Sequence, residues 1–185
     1  PIIYGGGIRD ENDGMNVVQR GADRISINNM LFDNQNSVCK IADNLGSQAI
    51  IASLPLSFID GQLQHYNYIT RKSGDISSEI IALLRNKIVS ELMISDWMNG
   101  GSLDRFNIDL IKSRELIGSK LIAFGGVGDP QVGKKIMEYN NVSAVAVGNP
   151  FSYKEHAIQN YNNQLNADFL RPPYFRDELT YDWNQ

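Results

Sequence analysis

The chain has few of the residues that would place it in several common functional classes. Cys39 is its only cysteine, so no internal disulfide can form. Cys39 lies in an apolar helical pattern, which favours a core thiol over a nucleophile. The two histidines, His65 and His156, are far apart and away from any cysteine or acidic cluster at ligand spacing. We therefore expect no metal site and no cofactor.

The chain also lacks an excess of basic residues and any long hydrophobic run. Its 17 Lys and Arg against 21 Asp and Glu give a net charge of −4, which argues against a nucleic-acid partner. No apolar run approaches the roughly 20 residues of a membrane span, and we expect no signal peptide. We expect a cytoplasmic protein with neither nucleic acid nor membrane as partner.

Two apolar runs that end in glycine are the main functional signal. They are Lys120-Leu-Ile-Ala-Phe-Gly-Gly-Val-Gly-Asp-Pro130 and Ala144-Val-Ala-Val-Gly-Asn-Pro150. Such runs are typical of strands buried on both faces. A glycine pair after a strand brings bare N–H groups close to a ligand, and a helix starting at Asp129-Pro130 adds partial positive charge. The pattern predicts a phosphate site; the alternative is that the glycines only relieve tight strand–helix turns.

Strand and helix patterns alternate along the chain. The predicted strands are Pro1–Tyr4, Arg24–Asn28, Ala49–Leu54, Glu91–Ser95, Lys120–Phe124 and Ala144–Val147. The predicted helices are Glu11–Arg20, Asn34–Leu45, Ile76–Asn86, Ile108–Ile117, Gln131–Tyr139 and Tyr153–Leu165. After the third strand, Asp60-Gly61 predicts a β-hairpin, with the chain extended to about Ile69.

Six βα units predict an α/β fold with a parallel sheet, either open and doubly wound or closed as a (β/α)8 TIM barrel. The chain starts on a strand, so we expect an N-terminally incomplete barrel that lacks two units, roughly 60 residues at ~30 per unit. Tyr4-Gly-Gly-Gly-Ile8 and Phe124-Gly-Gly-Val127 resemble each other, as two similar half-barrels would. We predict a partial barrel over residues 1–165 and a C-terminal tail over residues 166–185.

Four stretches carry a family resemblance. Gly5-Gly-Gly-Ile-Arg9, Gly21-Ala-Asp-Arg-Ile-Ser-Ile-Asn28, Gly46-Ser-Gln48 and Ile122-Ala-Phe-Gly-Gly-Val-Gly128 resemble the cyclase subunit of imidazole glycerol phosphate synthase, and the match runs to about residue 150. The resemblance implies a (β/α)8 barrel with two phosphate sites, acting as a cyclase or lyase on ammonia from a glutaminase partner in a heterodimer. Gly148–Ile158 is closer to a branch of the family in bacterial surface-polysaccharide (lipopolysaccharide) gene sets, which is thought to form an amidine on a sugar.

The resemblance also assigns candidate binding residues. It places Gly7, Asn28 and Asn29 at one phosphate site. It places the second site at Gly101, Gly125, Gly126, Gly148 and Asn149. Arg24 and Glu91 match two charged residues of the family's ammonia gate, for which the alternative is an ordinary ion pair at the bottom of a barrel.

The family's acid–base chemistry is the part that does not carry over. Pro55 occupies the position of a catalytic aspartate, and proline cannot transfer a proton. Asp96 is the nearest carboxylate, although strand alternation directs it away from the barrel axis. Arg71 and Lys72 match basic residues of a mobile loop. The catalytic residues are therefore unknown, and the alternative function is an impaired phosphate-binding barrel that docks and activates a glutaminase.

Overall fold

A computed structural model describes residues 1–116, 118–153 and 155–165. The strands are β1 (Ile3–Gly5), β2 (Arg24–Ile27), β3 (Ile50–Ile59), β4 (Gln62–Asn67), β5 (Lys72–Asp75), β6 (Glu91–Asp96), β7 (Lys120–Phe124) and β8 (Val142–Ala146). The α-helices are α1 (Glu11–Gln19), α2 (Met30–Asp33), α3 (Gln35–Leu45), α4 (Ser78–Arg85), α5 (Pro130–Met137) and α6 (Ala157–Leu165). All the predicted strands are present. Their ends are shifted by up to two residues, except that β3 continues five residues beyond its predicted end, to Ile59.

The parallel strands pair in the order β1-β2-β3-β6-β7-β8, and the sheet is strongly curled. Arg24 on β2 and Ser143 on β8 both contact Glu91 on β6. Each lies two strands from β6, about 10 Å away in a flat sheet. The three side chains meet because they lie on the concave face of a curled sheet. This curl confirms the predicted partial (β/α)8 barrel over the open sheet.

The core lies between the convex face of the sheet and the helices. Side chains alternate along each strand, so every second residue faces the helices. On β6 these residues are Leu92, Ile94 and Asp96, all 0% exposed, whereas Glu91, Met93 and Ser95 are partly exposed on the concave face. The other fully buried strand residues on the convex face include Ile25, Ile50, Leu54, Leu56 and Leu121.

The insertion after β3 is larger than the predicted hairpin. The turn at Asp60-Gly61 is confirmed, but β3 itself continues to Ile59 and pairs antiparallel with β4. A further antiparallel strand, β5, follows a turn at Asn67–Arg71. The chain therefore leaves the extended state at this turn and returns to it at Lys72. The polar sequence Lys72-Ser-Gly-Asp75 has no hydrophobic alternation, which is why this strand was missed.

Two helix predictions need correction, and one helix was not predicted. The predicted helix Ile108–Ile117 is two short 3-10 turns, Ile108–Leu110 and Arg114–Leu116, with Ile117 outside the described residues. The chain also forms a short extra helix, α2, before α3. Helix α6 begins at Ala157 rather than Tyr153, because a 3-10 turn at Asn149–Ser152 precedes it. The predicted C-terminal tail, residues 166–185, lies outside the described residues.

His65 on β4 is buried against α2. Its ring stacks on Phe32 with 4.3 Å between centroids, and the residue is 8% exposed. Desolvation lowers the pKa of His65 below the ordinary value of 6.5. The unfolded chain therefore binds a proton at a higher pH than the folded chain does. Stability is highest with His65 neutral and falls as pH drops below about 6.5 toward the lowered pKa.

We predict that His65→Phe reduces the pH dependence of stability. Phenylalanine keeps the stack on Phe32 and cannot be protonated, so the loss of unfolding free energy between about pH 7.5 and about pH 5.5 becomes smaller than in the wild type. Urea unfolding at both pH values measures the difference. His156→Gln, at an exposed histidine, is the control and keeps the wild-type dependence. An unchanged difference in His65→Phe would contradict the assignment.

Helix α6 is fixed to the turn after β7 through one tyrosine. The Tyr161 hydroxyl donates a hydrogen bond of 2.9 Å to the carbonyl oxygen of Val127. Burial, with a smaller contribution from the charge of Asp129, raises the pKa of Tyr161 to about 12. A Cβ atom added at Gly133 on α5 would overlap this hydroxyl. The glycine is thus required for the close approach of α5 and α6.

We predict that Gly133→Ala destabilises the chain by about 1–3 kcal/mol, because the added methyl group displaces the Tyr161 hydroxyl from Val127. The sign of the change in unfolding free energy is informative, because replacing glycine by alanine in an unobstructed helix stabilises the protein by about 1 kcal/mol. Urea denaturation gives the value. Gly74→Ala on β5, where a Cβ meets nothing within 4 Å, is the matched control. A more stable Gly133→Ala chain would refute the packing described for α6.

Candidate phosphate-binding face and ion-paired base

The larger cavity opens at the carboxyl ends of β1, β2 and β3 and has a volume of about 710 Å³. It is lined by the glycine turn after β1 and by the residues after β2. Gly7, Asn28 and Asn29, the three residues predicted for the first phosphate site, all line it. The structure therefore brings these residues together around one space.

The glycine turn of this cavity exposes its backbone. Gly6 and Gly7 have φ values of 106° and 74°, which favour glycine. A Cβ at either position would meet nothing within 4 Å. Close packing therefore gives no reason for glycine here; the backbone conformation does, and it leaves the peptide groups open to the cavity.

The two asparagines of this cavity differ in what they do. The Asn28 amide donates 2.8 Å to the carbonyl oxygen of Ser53 on β3, beyond the last β2–β3 backbone pair at Ile27 and Ala52. Asn28 therefore fastens the two strand ends together. Asn29 is exposed and precedes α2 without making a side-chain capping bond. Its amide group can reach a ligand at no cost to the helix.

The second cavity lies at the carboxyl ends of β7 and β8 and is much smaller, about 90 Å³. That is roughly the liquid volume of three water molecules, which suits a compact anionic group better than a nucleoside. The predicted residues Gly101, Gly125, Gly126, Gly148 and Asn149 all line it. The structure thus groups the two predicted sets of residues in two separate cavities on the same face.

Close packing explains the glycine pair of the second cavity. Gly125 and Gly126 have φ values of 88° and 74°. A Cβ at Gly125 would lie 2.8 Å from the carbonyl oxygen of Asp96, and one at Gly126 would lie 2.6 Å from the amide nitrogen of Phe106. These two glycines are needed for the fold itself, so they are weaker evidence for a ligand than Gly6 and Gly7.

The structure adds lining residues that the sequence reasoning did not single out. Arg9 and Asp33 line the first cavity, as do Ser53 and Met93 from the concave face; Ser102 lines the second. Arg9 had a recognisable signal, since it follows the triple glycine in the same strand–helix loop. The inward direction of Ser53 and Met93 follows from strand alternation once the strand register is known.

Arg24 and Glu91 form an ion pair at the opposite end of the half-barrel. The Arg24 guanidinium also donates 2.9 Å to the Gln48 carbonyl oxygen and 2.6 Å to the Ser90 hydroxyl oxygen. The Ser143 hydroxyl donates to the other carboxylate oxygen of Glu91. Four strand ends or loops are joined by this network, which lies on the concave face. The network is polar and partly exposed, with the Arg24 and Glu91 side chains 26% and 16% exposed.

Position 55 lies on the concave face in the middle of β3, near the end of its parallel pairing with β6 and opposite Ser95. The carbonyl oxygen of Ile50 accepts from the Ser90 amide on the β6 side. Strand alternation therefore turns the backbone of Ser53 and Pro55 toward β2, whose ladder has already ended. Pro55 loses no ladder hydrogen bond there. The site has a proline where a proton-transferring group would face the barrel interior.

The candidate loop residues lie at the same face. Arg71 is in the turn between β4 and β5 with φ of 56°, and Lys72 begins β5; both are exposed. Ile69 of this turn lines the first cavity. Trp97 stacks on Tyr66 of β4 with 4.4 Å between ring centroids, so the insertion packs on the segment after β6. Among the described residues, Asp33 is the only carboxylate that lines the first cavity.

Other site types find little support in the described ranges. No group of three or more His, Cys, Asp or Glu side chains in residues 1–116, 118–153 and 155–165 is arranged to hold a metal ion. Cys39 is half-buried and packs against the core. None of the helices in the described part of the chain is both long enough and apolar enough to span a bilayer.

A half-barrel with glycine turns at the carboxyl ends of its first and penultimate parallel strands is of the TIM-barrel class whose ligands bind at that face. Comparison with known families is consistent with this. The family model described as histidine biosynthesis protein matches residues 1–157. The chain belongs to this family.

Several curated relatives carry the name imidazole glycerol phosphate synthase subunit HisF. The protein from Exiguobacterium sp. is 27% identical over 71% of this chain and 52% of its own length. That from Leptospira biflexa is 26% identical over 86% of this chain and 64% of its own. That from Endomicrobium trichonymphae is 27% identical over 97% of this chain and 70% of its own. The chain thus spans about half to two-thirds of these relatives.

We predict a measurable coupling between Arg24 and Glu91. The two side chains are only 26% and 16% exposed, so solvent screens the pair incompletely and a double-mutant cycle with Arg24→Gln and Glu91→Gln should give about 1 kcal/mol. Urea unfolding of the four chains measures it. The exposed pair Lys112–Asp109, at 3.9 Å, is the control, with coupling near zero. A coupling between Arg24 and Glu91 as small as that of the control pair would contradict the prediction.

Proposed function

We propose that this chain forms the phosphate-binding and ammonia-receiving part of a synthase subunit that acts with a glutaminase. Its ligand is a phosphorylated or nucleotide-linked small molecule that carries anionic groups to the two cavities. Ammonia from the partner enters at the amino ends of the strands, beside the Arg24–Glu91 ion pair, and reaches the ligand at the carboxyl ends of the strands. The reaction class is the cyclisation or lyase chemistry implied by the resemblance to the synthase family, and the relatives are named imidazole glycerol phosphate synthase subunit HisF.

The observation that carries this proposal is the pairing of two glycine-lined cavities on one face of the half-barrel. Backbone N–H groups in such turns form concavities that bind anions without a basic side chain. The net charge of −4 makes a general attraction of phosphate improbable, so local groups have to supply the affinity. Arg9 in the first cavity is the described cation best placed to help.

The position of the Arg24–Glu91 pair supports the ammonia route. The pair is formed at the amino ends of the strands, on the concave face and opposite to the two cavities. Charged side chains that bind each other there leave the passage closed, and exchange of partners opens it. We therefore assign these two residues to the gate and propose that the glutaminase docks around them.

Two substrate branches are consistent with the proposal. One is the histidine pathway, on the names of the relatives; the other is amidine formation on a surface sugar, on the sequence of the segment at 148–158. Pro55 favours the second branch, because the standard cyclisation would lose its proton-transferring group at this position.

The competing candidate is a barrel that binds phosphate ligands and activates a glutaminase without performing chemistry. The same observation, Pro55 on the concave face opposite Ser95, favours it. Asp33 is then a lining residue of the first cavity and has no role in proton transfer. Both candidates share the two phosphate cavities and differ only in turnover.

We predict that inorganic phosphate and a small phosphomonoester bind at both cavities. Titration followed by heteronuclear NMR should shift the amides of Gly7 and Asn29 in the first cavity and of Gly101 and Gly126 in the second. Arg9→Gln should weaken binding in the first cavity about tenfold, because one charge-assisted contact is lost. Arg85→Gln, at an exposed cation in the last turn of α4 that lines neither cavity, is the control. The absence of amide chemical-shift changes at both cavities would contradict the proposal.

Turnover separates the two candidates. Supplied with a glutaminase subunit, glutamine and the family's aminoimidazole-forming substrate, the wild-type protein should cyclise slowly, and Pro55→Asp should cyclise faster because it restores a proton-transferring group. An ammonium salt in place of the glutaminase isolates the barrel's own chemistry. Wild-type cyclisation as fast as that of the relatives would refute the non-catalytic candidate, and an unchanged Pro55→Asp chain would remove position 55 from the argument.

A further inference from the structure

Asp96, the last residue of β6, is a carboxylate buried on the convex side of the sheet. It is 0% exposed and follows Leu92 and Ile94 on the face that packs against the core. Its side chain therefore lies on the opposite side of β6 from Met93, which lines the first cavity. This position excludes Asp96 as an acid or base acting on a ligand at the concave face.

The carboxylate of Asp96 binds both ends of the loop that follows it, residues 97–107. Oδ2 accepts 2.8 Å from the Asn99 side-chain amide and 2.8 Å from the backbone amide of Asn107. The backbone N–H of Asn99 also donates to the Asp96 carbonyl oxygen at 3.2 Å. One buried oxygen thus holds together residues that are eight positions apart. Such charge-assisted bonds are stronger than bonds between neutral groups.

The same loop supplies one wall of the second cavity. Gly100, Gly101 and Ser102 line it, and they lie between the two residues that Asp96 holds. The loop is further joined to the turn after β7, where the Phe106 amide donates 3.1 Å to the Gly126 carbonyl oxygen. The position of this wall relative to Gly125 and Gly126 depends on contacts below the cavity, and Asp96 is at their centre.

Burying a carboxylate is costly, which makes a packing role alone a poor explanation. The other oxygen, Oδ1, is buried with no hydrogen-bond partner in the described residues, and none of the ion pairs among those residues includes Asp96. An apolar side chain would fill this place at lower cost. A carboxylate has one advantage over an apolar side chain here: its Oδ2 atom accepts hydrogen bonds from two N–H donors, on Asn99 and Asn107, and so fixes the loop that lines the second cavity.

We propose that Asp96 is a positioning residue that sets the geometry of the second phosphate cavity through the loop 97–107. The inference rests on the proposed function, since it assigns Asp96 to the phosphate site of that proposal. Asp96 does not touch the ligand; it acts through Asn99 and Asn107 on the position of Gly101, which lines the cavity. The Ser102 amide belongs to the support of this wall, since it donates 3.1 Å to the Asn99 carbonyl oxygen.

Two variants test the proposal because they change charge differently. Asp96→Asn removes the negative charge near an anion site and keeps one acceptor oxygen, whereas Asn99→Ala keeps the charge and removes a donor. If position matters, both weaken phosphate binding at the second cavity, about tenfold for a loss of roughly one charge-assisted bond. If the charge of Asp96 merely repels phosphate, Asp96→Asn binds more tightly and Asn99→Ala is unchanged.

The readout is a titration of the full chain with inorganic phosphate, followed at separate backbone amides by NMR. The amides of Gly101 and Gly126 report the second cavity, and those of Gly7 and Asn29 report the first. A positioning role weakens binding at the second cavity alone, and Asp96→Ala is more severe than Asp96→Asn. A purely structural role weakens both cavities equally and overturns the proposal. Asp104→Asn, at an exposed carboxylate of the same loop, is the control.

The outcomes separate this inference from the function on which it rests. Phosphate shifts at both cavities in the wild type, with the second cavity unaffected in Asp96→Asn and Asn99→Ala, overturn the role of Asp96 and leave the proposed function standing. No shifts at either cavity in the wild type overturn both. Should Asp96→Asn unfold, Asn99→Ala decides alone, since Asn99 is only partly buried.

Discussion

Side chains alternate between the two faces along each parallel strand, and the features at both ends of the half-barrel depend on this alternation. It sends one set of side chains, such as Ile25, Leu54 and Ile94, into the convex core. The other set lies on the concave face, outside the hydrophobic core. Stability therefore comes from the convex residues, and the concave residues are free to carry an ion pair at one end and two cavities at the other.

The two glycine turns look alike in sequence and differ in physical origin. Gly125 and Gly126 are required because neighbouring backbone atoms lie where a Cβ would be, whereas Gly6 and Gly7 face open space. The turn at Gly125-Gly126 thus packs closely against Asp96 and the loop 97–107. The turn at Gly6-Gly7 lies at the open edge of the first cavity, where an added Cβ would meet nothing within 4 Å. An anion at the second cavity meets preformed walls, while one at the first meets exposed backbone and Arg9.

The sequence predicts most of the sheet because buried parallel strands have a strong apolar signature. The family resemblance assigned the residues of both candidate sites, and the structure groups them in two cavities at the carboxyl face; their binding role stays a prediction. The misses have physical reasons. Strand β5 is polar and is held by pairing with β4, and the predicted helix at 108–117 breaks into 3-10 turns although its apolar residues Leu110 and Ile111 are buried. Asp96 was identified as a carboxylate facing away from the axis, but its contacts with Asn99 and Asn107 depend on a loop path that no local pattern encodes.

The separation of binding from chemistry in this chain has a structural basis at position 55. A proline within a parallel strand normally removes a ladder hydrogen bond. Here the N–H that Pro55 lacks would point toward β2, which ends before it, so the substitution leaves the sheet intact. Proline at this position therefore leaves the fold intact but supplies no proton-transferring group, and it lines neither of the two cavities. Under the proposed function, such a barrel still binds its ligand and receives ammonia, and any acid–base step comes from another group. Asp33, at the end of α2, is the described carboxylate that lines the first cavity.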